Sequence, residues 1–250
     1  MPTKAQRALF SEQTYEMLNK GGKQRRVNAI NENIKKTGYK VDKEHSNRDI
    51  ITYVNDARNE VHISHRGTDI TGKKTTRDLA NDLSIALGKT RDDKNFKKRR
   101  KDTERALKAY PDHKASGSGH SMGGSSITST MASNKYVRQR MTGGGVDTFN
   151  AGATIFGQRE LQNLDKEGQK EMKKAMTHNR TQNDIVSASM GVNKPLGKVV
   201  VHKEKKKGDP LLKAGSTPTG LGSLLTGNAS AVLSAHSLHH FYDKSKYHDN

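Results

Sequence analysis

Apolar residues come in short bursts along the chain, and the spacing inside each burst changes from one segment to the next. Over residues 5–19, Ala8, Leu9, Tyr15 and Leu18 hold roughly one face of a helix, and the KGGK stretch at 20–23 ends it. A second short helix is predicted over 25–36, stopping at Gly38. The pattern then shortens. ITYV (51–54) and EVHIS (60–64) alternate or run apolar around the turn residues NDARN, which predicts a hairpin whose second strand leads into HRGTD (65–69). Leu79, Leu83 and Leu87, four apart, return to helical spacing over 75–88. A basic helix follows over 94–110, closed by Pro111.

Beyond it, KASGS (114–118) reads as a short strand of small residues and 125–137 as a helix. GGGVDTFNAG (143–152) reads as a strand with tight flanks, and 159–176 as an amphipathic surface helix. NDIVSA (183–188) lies at the tip of a strand, and GKVVVHKEKKKGD (197–209) is a strand ending in a basic turn. Residues 207–228 are loop-like, and 230–243 finish as a helix or strand–helix turn. Strands alternating with helices predict an α/β fold, a mostly parallel central sheet flanked by helices. We read one domain over 1–250, with an N-terminal helical segment at 1–37 and the core at 38–250.

Composition narrows the picture. Only 30% of the residues are hydrophobic, so the core must be economical. The net charge of +19 attracts anions: lipid head groups, nucleic acid or acidic protein surfaces. With 5% aromatics and no Trp, a base-stacking platform has little support, and nucleic acid as a partner rests on charge alone. The absence of Cys excludes disulfides and cysteine-based zinc motifs. The first twenty residues carry no apolar signal core, and no apolar run reaches the roughly 20 residues of a membrane-spanning helix. The expectation is a soluble protein without a signal peptide, intracellular or virion-associated, touching membranes peripherally. The basic run at 97–101 reads most simply as a solvated helix face.

The chemistry concentrates in KASGSGHSMGGSSI (114–127). Gly119-His120-Ser121-Met122-Gly123 matches G-x-S-x-G, in which a serine occupies a sharp strand-to-helix turn and tiny residues on either side let the chain pass. The bland alternative is a flexible Gly/Ser loop. A nucleophilic serine needs a base, and the base an orienting acid. In serine-elbow hydrolases the acid and then the histidine follow in the chain. Asp184, after a polar turn and before an apolar pair, is the best acid. His236, after AVLSA, is the best base, with His239 and His240 as competitors. The Met122 N–H would supply one oxyanion donor. Thr68, after the Gly67 turn, would supply the second, unless Arg66 and Asp69 merely pair across that turn. Leu221, Leu224 and Leu225 are the candidate apolar wall for a substrate, or ordinary loop leucines tucked into the core.

Taken in order, HRGTD, RDLANDL, GHSMGG, TFNAGA, NDIV and AHSLHHF resemble the landmarks of the class 3 lipases, which have the α/β-hydrolase fold. The resemblance spans roughly residues 50–242. It implies Ser121 as nucleophile, Asp184 as orienting acid, His236 as base, and Thr68 and Met122 as oxyanion donors. Lipid esters are then the implied substrates, hydrolysed without metal or organic cofactor. The chain departs from the family at His65, where Phe is usual, at Met122 in place of Leu, in FNAGA, which lacks the usual Pro, and in the polar strand before the elbow. In its compact, lysine-rich character it looks more like the lipase-like proteins of phages and large DNA viruses. Two other functions remain open on the sequence: a basic structural or nucleic-acid-binding protein on an inactive hydrolase scaffold, and an acyltransferase or thioesterase using the same triad.

Overall fold

The computed structural model describes residues 1–68, 94–152, 161, 163–182, 184, 195–203 and 238–242, with the backbone alone at His239. A seven-stranded sheet runs through it in the order β1 (Lys40–Asp42), β2 (Ile50–Asn55), β3 (Glu60–His65), β4 (Lys114–His120), β5 (Val146–Phe149), β6 (Met176–Thr181) and β7 (Lys198–His202). The first two pairings are antiparallel and the other four parallel. The β2–β3 hairpin turns where Asn55 Oδ1 accepts the Arg58 N–H and Asn59 takes φ 48°. From β3 onward every strand points the same way. Their C-terminal ends therefore form one rim, where ligand sites of parallel α/β sheets gather.

Helices cover both faces of the sheet. One face carries α1 (Lys4–Gln13), α2 (Lys23–Ile34) and the short turn Leu238–His240. A Thr3–Gln6 capping box starts α1, which buries Ala8, Leu9 and Phe10. Val27, Ile30 and Ile34 form the buried stripe of α2. Residues 1–37 are thus a structural layer of the core, sharing one apolar cluster with Ile51, Tyr53, Phe149, Leu238 and Phe241. The other face carries α3 (Lys94–Ala109), α4 (Met122–Ser133), α5 (Lys135–Thr142) and α6 (Lys166–Ala175). Ile63, Leu107, Ile127, Met141, Val146 and Met172 belong to its cluster. What reads as one helix over 125–137 is two, because Asn134 leaves helical geometry (φ −131°, ψ 105°) and its side chain caps α5 by accepting the Val137 N–H.

The polar β4 finds its partners on the neighbouring strand. Ser116 and Ser118 point to the α1 face, where His62 Nδ1 and Nε2 lie 2.8 Å and 2.9 Å from their hydroxyls. Ser64 and Ser11 join the same cluster through Ser118. All five side chains are buried, and their mutual hydrogen bonds offset the cost of removing them from water. Close by, Arg7 pairs with Asp147 at 2.8 Å, and Asp147 also accepts from Asn179. On the opposite face His65 contacts the Ser126 and Thr103 hydroxyls at 3.0 Å and 2.8 Å. The basic run at 97–101 is mostly solvated, as its composition suggests, but Arg99 turns inward and is 2% exposed.

Burial holds the imidazoles of His62 and His65 well below the ordinary value of 6.5, with the charges of Arg7 and Arg99 adding to the effect, and burial also lowers His178. A buried neutral imidazole takes up no proton at a pH where the unfolded chain does. The stability these groups contribute is therefore complete above about pH 6.5 and declines as pH falls towards their folded-state values, each losing up to about 1.4 kcal/mol per pH unit. Urea denaturation should accordingly show a midpoint that drops between pH 6.5 and 5.5, with a shallower drop in His62→Asn. A midpoint independent of pH across that interval contradicts the buried neutral state.

Candidate active site

The rim is built around one close approach of backbone to backbone. β4 ends at His120 and α4 begins at Met122, so Ser121 alone makes the turn between them. Its backbone takes φ 54° and ψ −128°, a conformation that L-residues avoid and that costs of order 1–3 kcal/mol. The turn closes because its neighbours lack side chains. A Cβ on Gly119 would stand 2.4 Å from the Gly123 carbonyl, and one on Gly123 would stand 2.1 Å from the His65 carbonyl oxygen. Both obstacles are backbone and cannot swing aside. The glycines two before and two after the serine are therefore steric requirements, as the motif predicts. The Ser121 N–H donates to the Phe149 carbonyl at 3.0 Å, which pins the elbow to β5. Ser121 is buried, at 4% exposure, so it lies on the floor of the rim rather than on an open surface.

The loop after β3 presses against this elbow. A Cβ on Gly67 would meet the Tyr15 hydroxyl at 2.3 Å, the His120 carbonyl at 2.7 Å and the Ser121 Cβ at 3.3 Å. The next residue, Thr68, donates through Oγ1 to Met122 Sδ at 3.6 Å. The two residues expected to flank an oxyanion are thus neighbours, one on the β3 loop and one in the first turn of α4. The first amides of a helix have no acceptor one turn back, and the helix dipole adds positive potential there. Arg66 is held from several sides: its guanidinium donates to the carbonyls of Arg48 and Gly67, and the buried Arg99 donates to its carbonyl at 2.6 Å. Asp49 lies 3.6 Å from Arg66 and 3.5 Å from Arg99. Asp69, the alternative partner for Arg66, lies outside the described residues.

Asp184 sits just past the end of β6, two strands along the rim from Ser121, buried to 2% exposure. Its N–H donates to the Thr181 carbonyl at 3.3 Å, a turn at the strand's tip. His236 and Leu221, Leu224 and Leu225 lie outside the described residues, as does the side chain of His239. His240 is half-buried. Immediately beyond His236 in the chain, Leu238 and Phe241 are buried in the cluster that contains Phe149, with the Phe149 and Phe241 rings 5.0 Å apart. His120, beside the serine in sequence, points to Tyr15, whose hydroxyl is 2.9 Å from its Nδ1.

Several residues of the rim escape sequence reasoning. Tyr15 and Arg99 reach it from helices whose pattern marks only core or solvent. Ser125 braces the start of α4 by donating to the Gly152 carbonyl at 2.7 Å. Asn150 takes φ 46° just after β5, and the one available signal was its type, since Asn tolerates positive φ better than most residues.

No protein-family model and no curated protein matches the chain. Solved structures similar to it include fungal lipases. Lipase II from Rhizopus niveus is 13% identical over 81% of this chain and 79% of that chain, with a TM-score of 0.44. Lip2 lipase from Yarrowia lipolytica is 15% identical over 70% and 69%, with a TM-score of 0.39. The lipase from Rhizopus microsporus var. chinensis is 14% identical over 82% and 77%, with a TM-score of 0.38.

Gly119→Ala and Gly123→Ala should each destabilise the protein by at least the roughly 1–3 kcal/mol of an overpacked core. Gly143→Ala, whose Cβ would meet nothing within 4 Å, should stay within about 0.5 kcal/mol of wild type. Thermal melts of the three variants test this, and equal melting temperatures contradict it.

Proposed function

We propose that this protein is a serine carboxylic-ester hydrolase acting on lipid esters. The observation that carries the reading is the backbone of Ser121: strained, walled by glycines that admit no side chain, and set directly before the first turn of α4. A flexible Gly/Ser loop has no cause to store such strain, whereas a nucleophile elbow does, because the turn aims the hydroxyl at a group of free amides. The contact of Thr68 with Met122 supports the same reading.

In this proposal His236 removes the Ser121 proton as Oγ attacks the ester carbonyl. Asp184 fixes the imidazole orientation and stabilises the imidazolium. The N–H groups of Met122 and Thr68 stabilise the oxyanion, each such donor being worth about 2.7–4 kcal/mol of barrier. The leaving alcohol takes a proton from His236, and water releases the acyl group by the reverse sequence of proton transfers. Leu221, Leu224 and Leu225 are the proposed apolar wall. Recruitment to anionic phospholipid surfaces is supported by the net charge of +19 and by the exposed Lys94, Lys98, Lys101, Arg105 and Lys108 of α3, of which Lys98 and Arg105 also pair with Asp102 and Lys108 with Glu104.

A fluorophosphonate probe should label Ser121 covalently, and labelling should vanish in Ser121→Ala and fall steeply in His236→Ala. Turnover of a short-chain ester should decline below about pH 6 as the base protonates. An unlabelled wild-type protein that binds DNA with steep salt dependence would instead support the inactive, nucleic-acid-binding scaffold. Labelling with transfer of the acyl group to thiols or alcohols in preference to water would support the acyltransferase.

On vesicles at fixed salt, anionic phospholipid should be hydrolysed faster than zwitterionic phospholipid, and raising the salt should erase the difference. Equal rates at low salt contradict charge-guided recruitment.

A further inference from the structure

Between the proposed nucleophile and the proposed acid stands one residue with an unusual backbone. Asn150 follows the last residue of β5, is fully buried, and takes φ 46°. Its N–H donates to the Asn179 carbonyl at 2.8 Å, which stitches the tip of β5 to β6. Its side-chain Oδ1 accepts the Thr181 N–H at 2.9 Å and the Thr181 hydroxyl at 3.4 Å. Thr181 is the last residue of β6, and its carbonyl in turn accepts the Asp184 N–H. On the other side, the residue before Asn150 supplies the carbonyl that holds the Ser121 N–H.

These contacts form an unbroken path. Ser121 is fixed to Phe149, Phe149 is bonded to Asn150, Asn150 holds Thr181, and Thr181 holds Asp184. On the β5 side the ladder gives way to the Asn150 side chain, whose Oδ1 takes the Thr181 N–H that a continued ladder with β5 would use. The left-handed turn at Asn150 aims the side chain across the rim instead of into a core. We propose that Asn150 is a positioning residue of the active site, its Oδ1 setting the turn that carries Asp184 and hence the place of that carboxylate relative to Ser121.

The inference rests on the triad reading above, and the two fail separately. In Asn150→Gly the positive φ is kept without strain, while the side-chain amide and with it the Oδ1 acceptor for Thr181 are lost. In Asn150→Asp the acceptor is kept, and Asp tolerates the same backbone region. Ester hydrolysis by Asn150→Gly should fall in kcat by roughly ten- to a hundredfold with KM changed less than twofold, the scale of a small misplacement of a catalytic group. Its acidic pH limb should also move to lower pH, because a carboxylate drawn away from the base no longer favours the imidazolium. Loss of stability alone would leave that limb in place. Asn150→Asp should recover most of the rate, with its acidic limb at or above the wild-type pH because a further carboxylate favours the imidazolium. A separate measurement needs no variant: the Thr181 amide in the wild-type protein should be protected from hydrogen exchange, as a buried, bonded amide is.

Wild-type kcat and pH limb in Asn150→Gly, equal losses in the Gly and Asp variants, or an unprotected Thr181 amide would each overturn the assignment. Failure of the wild-type protein to react with a fluorophosphonate tests the triad and leaves the Thr181 exchange result to score the Asn150 contact by itself.

Discussion

The architecture of the rim depends on one contact, the packing of the β4–α4 turn against the end of β3 with no side chain between them. Gly123 lies so close to the His65 carbonyl that a methyl group cannot enter, and a Cβ on Gly67 would likewise stand only 2.7 Å from the His120 carbonyl oxygen. That approach brings Thr68 to Met122 and leaves Ser121 as the one residue at the corner. Everything else at the rim acts as bracing. Arg99 and Asp49 hold the β3 loop, Phe149 holds the elbow, and Ser125 holds the first turn of α4. Strain at Ser121 persists because contacts on both sides over-determine it.

A chain with so few large apolar residues supports this strain with a partly polar interior. The centre of the sheet is a cluster of His62 with serines from β3, β4 and α1, and the Arg7–Asp147 pair lies beside it. Small hydroxyl side chains let α1 sit close against β4, and each polar group meets a partner. The arrangement ties stability to the protonation state of its histidines in a way that an aliphatic core would not. Removing one partner of Arg7–Asp147 would leave a charge buried without its counterpart, and such losses are among the largest single-residue effects, about 3–5 kcal/mol.

The elbow was legible in the sequence because its requirement is local: two glycines at fixed offsets from a serine describe a steric problem within five residues. The hairpin, the two N-terminal helices with Ala8 and Leu9 in the core, and the strand at 198–202 were legible from the pattern, whereas Phe10 and Met17, rather than Tyr15 and Leu18, join them in the core. Strand β6 was not. MTHNRT has no apolar alternation, and its burial rests on contacts with distant residues, His178 with Thr148 and Asn179 with Asp147. For the same reason β4 was legible as a short strand of small residues but its partner was not: its serines meet His62 of the neighbouring strand. Arg99 was hidden inside a basic run, although its phase with Phe96, Thr103 and Ala106 matches the buried face of α3. Asp184 is proposed as the acid from its position after a polar turn, and the structure adds the Asn150–Thr181 bonds behind it, which no local pattern encodes.

The most direct measurement of the central claim is a crystal structure of the protein after reaction with an alkyl phosphonate ester. The account predicts phosphorus bonded to Ser121 Oγ, with a phosphoryl oxygen within about 2.7–3.1 Å of the Met122 and Thr68 amide nitrogens. It also predicts an imidazole from His236 between that serine and Asp184. An adduct on another residue, or one on Ser121 whose oxygen faces away from both amides with no histidine beside it, would contradict it.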